Sequence, residues 1–538
     1  MALILTKELH SPLTLLLLVS YSCIGLVQVG PIAVQAQGPL FTDSRWIVDG
    51  AGRRVKLACV NWPSHLQPML AEGLSKQPAD VIMKKIKSMG FNCVRFTWPL
   101  ELVTNGSLAS RTVNQSFQGL GLSQALAGIA ANNSWAPDLT LIDAFKAMLA
   151  RFQRNNVMIV LDNHLTVPGW CCQWSDGNGF FGDKFFDPNL WVNGLIKMAR
   201  LATSFPNVIG MSLRNELRGP RSNVDDWYKY MQQGAEAVHT TNPNVLVILS
   251  GLNYDTDLSF LQNRSIHVSF ARKLVFEVHW YSFSDGRRWT AGNLNDLCGN
   301  ISSRVMARAG FLARKNLSPL FLSEFGVDGR GTNAGDNRYL PCILAMAATE
   351  DWDFAIWALQ GSYYLREGVM DMEEFYGLLD DNWSNVRNLT LLTRLSSLQI
   401  PYRGLPLKRM HMILFHPQTG LCVTNGPPTR SLRLSSCRAA QAWMYGPQRF
   451  LQAEGTKSFL QAVGPQKPPR LAPSSTSQWD MVSNSGLHLS AKAMDGSTVC
   501  LDVDGKGLLI TNACKCLQGD KSCDPTSQWF GLVQSNTV

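Results

Sequence analysis

The sequence predicts an α/β protein: a (β/α)8, or TIM, barrel followed by a smaller all-β domain of threefold repeat, a β-trefoil. Three observations carry that expectation. Eight apolar runs of strand length, between Lys56 and Leu359, alternate with segments of helical periodicity. Polar and charged residues collect at the carboxyl ends of those runs, as they do where strands converge on one face of a closed barrel. Beyond about residue 400 the helical period gives way to short strand-and-turn units in which cysteine and tryptophan recur. At 538 residues the chain also exceeds what one hydrophobic core supports, so two domains are expected.

The elements follow in order. Lys56 to Val60 is a short apolar run that ends at Asn61-Trp62, and a helix is expected over Ala79 to Ser88 behind Pro78. Gly90 to Phe96 is the second strand. Glu101 to Pro137, with three glycosylation sequons and a Gly-Leu-Gly-Leu stretch, suggests an elaborated loop over the polar face. A helix at Leu139 to Arg154, a strand at Val157 to Leu161 and a helix at Pro188 to Ser204 come next. The fourth strand starts at Val208 and delivers Asn215-Glu216. After it come a helix at Val224 to Thr240, a strand at Val245 to Leu249, a short helix near Leu258 and a strand at Leu274 to Val278. A helix at Ser303 to Arg314, a strand ending at Glu324, a helix at Arg338 to Glu350, a strand at Phe354 to Leu359 and a helix at Val386 to Leu398 complete eight strand-helix pairs. An open doubly wound sheet fits less well, because it does not need eight uninterrupted repeats.

The ends of the chain point to export. Lys7 precedes the apolar stretch from Leu13 to Val19, and small residues around Ala33-Val34-Gln35-Ala36 follow, which is the layout of a secretory signal peptide over residues 1–36. Of 13 cysteines, Cys23 lies in that segment and the other twelve divide six and six between the expected domains, which suggests disulfides within each. Cys171-Cys172 is expected to tie its loop to other segments. Sequons at Asn105, Asn114, Asn132, Asn263, Asn300, Asn316, Asn382 and Asn388 agree with an extracellular glycoprotein that no longer contacts a membrane once the signal is removed. A net charge of +9 without a basic run or nucleic-acid motif argues against a nucleic-acid partner.

Lined up, the strand ends carry Arg95, His164, Asn215 with Glu216, His279 with Tyr281, Glu324 and Trp357. Two glutamates from separate strands facing each other across a cleft are the equipment for glycosidic cleavage: one attacks the anomeric carbon while the other protonates the leaving oxygen, about 5 Å away. Asn215 offers an amide donor for a sugar 2-hydroxyl, Tyr281 a donor for Glu324, and Trp357 a flat face for a pyranose. His164 and His279 can orient hydroxyls or the acid. The raised pKa that an acid needs is expected on Glu216 from the charge of Glu324, with Arg95 keeping Glu324 ionised. Trp98, Trp170, Trp174 and Trp280 follow strands and are candidates for subsites or for packing.

In this order and on these strands, the eight residues resemble glycoside hydrolase family 5, the cellulase-like branch of retaining (β/α)8 hydrolases. The resemblance implies Glu324 as nucleophile and Glu216 as acid/base, with Arg95, His164, Asn215, His279, Tyr281 and Trp357 binding substrate. It implies a polysaccharide or oligosaccharide substrate and no metal or organic cofactor. Glucan, mannan and glycoconjugate remain open as substrates, as do transglycosylation on the same scaffold and a catalytically silent, lectin-like barrel.

Pro401, Gly404 and Pro406 mark a linker over 401–410, separating a barrel domain over 37–400 from a second domain over 411–538. Within the second domain, Cys422, Cys437 and Gln441-Ala442-Trp443 form one unit, echoed by Cys500, Cys514 and Gln528-Trp529, with Gln478-Trp479 between them in a copy without cysteines. These features resemble a ricin B-type carbohydrate-binding trefoil. The third unit alone keeps Cys-Leu-Asp, so Asp502 is the candidate glycan site, Thr424 standing at the equivalent place in the first.

Overall fold

A computed structural model describes residues 38–404, 409–425, 431–517, 519 and 522–537. The expected signal peptide, and residues 405–408 of the expected linker, lie outside them.

Eight parallel strands close into a barrel: β1 (Ala58–Trp62), β2 (Cys93–Pro99), β3 (Met158–Leu165), β4 (Val208–Ser212), β5 (Leu246–Leu249), β6 (Leu274–His279), β7 (Leu320–Phe325) and β8 (Asp353–Ile356). Pairing of Phe354 with Ala58 completes the ring. Every strand residue is buried on one side of the wall or the other except Leu274 at the start of β6, which explains why the strands read as near-continuous apolar runs.

The period of two sets what points inward. Cys59, Cys93, Met158, Val160, Ile209, Leu246, Ile248, Val275, Phe321 and Ala355 form an apolar cluster with Leu40 and Ile47 from the Phe41–Asp43/Trp46–Val48 hairpin. Two residues further along the same strands stand Asn61, Arg95, Asp162, Glu277, Ser323 and Trp357. One half of the barrel interior is therefore greasy and the other ionic.

The helices between the strands are α1 (Ala79–Ser88), α2 (Leu141–Arg154), α3 (Pro188–Ala202), α4 (Val224–Thr241), α5 (Leu294–Val305), α6 (Ala334–Glu350) and α7 (Leu389–Ser396). Most start where a side-chain oxygen accepts from a first-turn N–H: Thr140, Asp187, Asn223, Asn293, Asn333 and Asn388 all do so. Two expectations are corrected. The segment after β2 is not a loop but four short helices, Glu101–Thr104, Gly106–Ala109, Val113–Gly119 and Ser123–Asn132, the third held by a Thr112/Gln115 capping box. The helix before β7 starts at Leu294 rather than Ser303, because Asn293 caps it. The short helix expected near Leu258 is present as a 3-10 turn, Ser259–Gln262.

After the barrel, the described residues form twelve short strands, from His411–His416 to Gly531–Ser535, in one eight-stranded and one four-stranded sheet, and the first strand pairs antiparallel with the last. Trp443, Trp479 and Trp529 are wholly buried. This all-β domain packs on α5, α6 and α7. Ile413, Phe415, Leu487, Trp529 and Val533 merge with the outer core of the barrel, and Trp529 Nε1 donates to Asn295 Oδ1 at 2.9 Å. A Cβ on Gly299 of α5 would lie 2.2 Å from the Asn484 carbonyl oxygen, so the close approach of helix and domain requires glycine there.

All twelve described cysteines are paired. Cys59–Cys93 joins β1 to β2, Cys298–Cys342 joins α5 to α6, and Cys422–Cys437, Cys500–Cys514 and Cys516–Cys523 lie in the all-β domain. Cys171 and Cys172 are bonded to each other, which corrects the expectation that they tie their loop to other segments. Among the described residues no helix is long and apolar enough to cross a membrane.

Candidate active site

The eight barrel residues picked from sequence meet at the carboxyl end of the strands, around a cleft of about 640 Å³ whose lining includes His164, Asn215, Glu216, His279, Tyr281, Glu324 and Trp357. Arg95 lies beneath it. Asp502 is elsewhere, on the Thr498–Val503 strand of the all-β domain, its carboxylate 3.1 Å from Gln528 Nε2 and 3.3 Å from Lys515 Nζ. A second concavity of about 490 Å³, between Ser75, Gln124 and Tyr364, has Asp371 as its only acidic lining residue, so it offers no carboxylate pair.

Arg95 is fully buried and organises the floor. Its Nη1 donates to Glu324 Oε1 at 2.7 Å and Asn61 Oδ1 at 3.1 Å, and its Nη2 to Asn215 Oδ1 at 3.0 Å, with Asp162 Oδ1 2.9 Å away. Burial alone would pull its pKa down, but Asp162, Glu277 and Glu324 outweigh that and raise it. The guanidinium is permanently charged.

Glu324 accepts on its other oxygen from the Tyr281 hydroxyl at 2.9 Å. Glu216 Oε1 lies 3.1 Å from His279 Nδ1, whose Nε2 is 3.0 Å from Ser323 Oγ. One carboxylate oxygen of Glu216, one of Glu324 and a ring nitrogen of His279 all lie within 4.8 Å of one another. That spacing could also suit a metal ion, but Arg95 and Tyr281 already engage both oxygens of Glu324. An oxygen–oxygen approach within 4.8 Å is compatible with the ~5 Å carboxyl separation of double displacement.

Both glutamates are shifted upward, and the main cause is not the expected one. Burial raises Glu216 to about 7 against the opposing pull of Arg218 and Arg95. Burial also raises Glu324, with His279 and Arg95 working against it, so Arg95 limits the rise rather than depressing the group below its ordinary value. His164 and His279 are lowered by burial and stay neutral at pH 7. Tyr281 is pushed well above its usual value by burial and by Glu324, which keeps it a donor.

The backbone presents Glu216 by leaving the strand. β4 ends at Ser212, Asn215 N–H donates to the Asn163 carbonyl at 3.0 Å, and Glu216 adopts φ +45°, with its N–H 3.3 Å from Asp255 Oδ2. A non-glycine residue in that region costs about 1–3 kcal/mol and persists where surrounding contacts over-determine it. Trp357 sits parallel to His164, ring centres 5.7 Å apart. Trp170 and Trp174 flank the cleft, whereas Trp98 and Trp280 are core residues.

The cellulase family model, described as glycosyl hydrolase family 5, matches residues 49–362. A glycosyl hydrolase 5 family protein of Chamaecyparis obtusa is 43% identical over 526 residues, 93% of each chain. The chain belongs to glycoside hydrolase family 5. An endoglucanase of Paenibacillus polymyxa is 20% identical over 389 residues, covering 68% of this chain and 89% of its own. Among solved structures, an endocellulase of Pyrococcus horikoshii in complex with cellotetraose superposes with a TM-score of 0.54 at 16% identity, over 67% of this chain and 100% of the other, which speaks for the fold. The protein is an O-glycosyl hydrolase.

Four polar residues of this family 5 hydrolase escaped the strand-end survey. Asp162 holds His164 Nδ1 at 2.6 Å, Glu277 and Asp255 lie beside Arg95 and His279, and Asn61 joins Arg95 to the barrel wall. Three had a signal in the sequence: Asp162 and Glu277 stand two residues before His164 and His279, on the same inward face, and Asn61 occupies the matching place at the end of β1. Asp255, on the loop after β5, had none. Burial and the neighbouring Glu277 and Glu216 raise its pKa well above the ordinary range.

Proposed function

We propose that this enzyme is a secreted, retaining β-glycosidase that cleaves a β-linked glucan or a related polysaccharide by double displacement. The observation that carries it is the approach of the Glu216 and Glu324 oxygens to within 4.8 Å at the mouth of the barrel, with different supports on each. Glu324, ionised and held by Arg95 and Tyr281, attacks the anomeric carbon from below. Glu216, protonated near neutral pH because it is buried, gives its proton to the departing oxygen. Deprotonated, it then takes a proton from the water that releases the sugar from Glu324.

Asn215 is set for the ring's 2-hydroxyl, since Arg95 fixes its Oδ1 and leaves the amide N–H groups toward the cleft. Trp357, Tyr281 and Phe283 supply flat apolar faces to a chain of sugar rings. Export agrees with six disulfides, and the recurrence of a wholly buried tryptophan, at Trp443, Trp479 and Trp529, among short strands supports a ricin B-type trefoil with Asp502 as its single candidate glycan site. The test is a panel of aryl β-glycosides and β-linked polysaccharides with NMR of the first-formed product. Retained configuration, lost in Glu324→Ala, is expected; inversion, or unchanged turnover by that variant, rules the assignment out.

A further inference from the structure

Five of the six disulfides close loops spanning 7 to 44 residues, whereas Cys171–Cys172 spans one. A cross-link stabilises chiefly by removing loop-closure freedom from the unfolded chain, and neighbours in sequence have almost none to remove. The bridge that does least for stability is also the one that lines the catalytic cleft.

Its loop is held in place without it. On one side Gly169 N–H donates to the His65 carbonyl at 3.2 Å. On the other Arg218 Nε donates to the Gln173 carbonyl at 2.9 Å, and Asn178 Oδ1 accepts from Thr166 N–H at 3.2 Å. Both cysteines are half-buried and open to the cleft. Their sulfurs lie 3.7 and 3.5 Å from Asn215 Nδ2, the amide whose oxygen Arg95 already holds, and both lie within 4.8 Å of a His164 ring nitrogen. Two joined sulfurs present a firm, polarisable apolar surface, which suits the C–H face of a pyranose, and their weak acceptor character fixes the direction of the Asn215 amide.

Resting on the glycosidase assignment above, we propose that the Cys171–Cys172 disulfide is a sugar-facing wall of the catalytic subsite. It touches the ring being cleaved and positions Asn215 against that ring. The contact serves binding and specificity and leaves the protonation of Glu216 and Glu324 unchanged.

Kinetics on an oligosaccharide that the wild-type enzyme hydrolyses test this. In Cys171→Ala/Cys172→Ala, KM should rise about tenfold, with the pH profile and Tm of the wild type. Wild-type KM in the double variant overturns the proposal, as does a change in which the loss of activity tracks a fall in Tm. A wild-type enzyme inert toward every β-glycoside overturns the glycosidase assignment itself, a separate result. A second measurement does not depend on the variant folding. Glu216→Ala protein is treated with a phosphine reductant and an alkylating reagent, with and without the same oligosaccharide, and labelling of the 171–172 peptide is followed by mass spectrometry. Sugar should protect that peptide, and equal labelling in both samples overturns the proposal.

Discussion

The two halves of the barrel interior use the same eight strands for opposite ends. Toward the strand starts, Val160, Ile248, Val275 and Phe321 pack under the Leu40 and Ile47 plug. Toward the strand ends, one guanidinium is surrounded by Asp162, Glu277 and Glu324. Burying apolar side chains stabilises the fold at about 25 cal/mol per Å². Burying four charges contributes little net stability and leaves a strong, directed field where charge develops in the reaction. The comparison teaches that one half holds the shape and the other uses it, as expected for a barrel whose chemistry sits at the carboxyl face.

Four changes test that division, taken from the largest expected effect down. Glu324→Gln should lower kcat more than about 10³-fold in steady-state assays while thermal unfolding stays cooperative, because the group is asked to react rather than to pack. Arg95→Leu strands Asp162 and Glu277 as well as Glu324, so it should cost about 3–5 kcal/mol in denaturant unfolding and also abolish activity. Ile248→Ala, in the apolar half, should cost about 2–5 kcal/mol of stability yet leave KM per folded molecule unchanged. If that core variant altered KM or the pH profile, the two halves would not be separable.

The fourth is pH dependence. In the proposed mechanism the active form has Glu216 protonated and Glu324 ionised. With Glu216 at about 7, kcat/KM should fall about tenfold per unit above pH 7, and because Glu324 is also raised, the acid limb should lie above the ordinary carboxylate value of about 4.3. The sign for stability follows: Glu216 has a higher pKa folded than unfolded. Its favourable contribution is therefore complete below about pH 4 and lost as pH rises through about 7. Glu216→Gln should accordingly lose less Tm than the wild type between pH 6 and pH 9.

Much of this was legible in the sequence, for reasons tied to particular residues. Strands such as Met158–Leu165 are buried on both sides and read as unbroken apolar runs until the polar residues that close them. The residues gathered over the barrel were visible because each stands at a strand end. The early start of α5 was hidden because its first turns, Leu294 to Gly299, carry Asn295, Asp296 and a glycine, which weaken the helical pattern while Asn293 caps it. The raised Glu324 was hidden as well, since burial is a property of the assembled site and no spacing encodes it. The Cys171–Cys172 pairing escaped because adjacent cysteines say nothing of which partner each will take.

Asn61 gives the closed barrel one more meaning. Its Nδ2 donates to the Ser323 carbonyl at 3.0 Å and the Ile356 carbonyl at 3.2 Å, stitching β1 to β7 and β8, while its Oδ1 receives Arg95. The last stave to arrive thus locks the same amide that steadies the guanidinium under Glu324. Docking of the eighth strand therefore completes the hydrogen-bonded support beneath Glu324 as well as the ring itself.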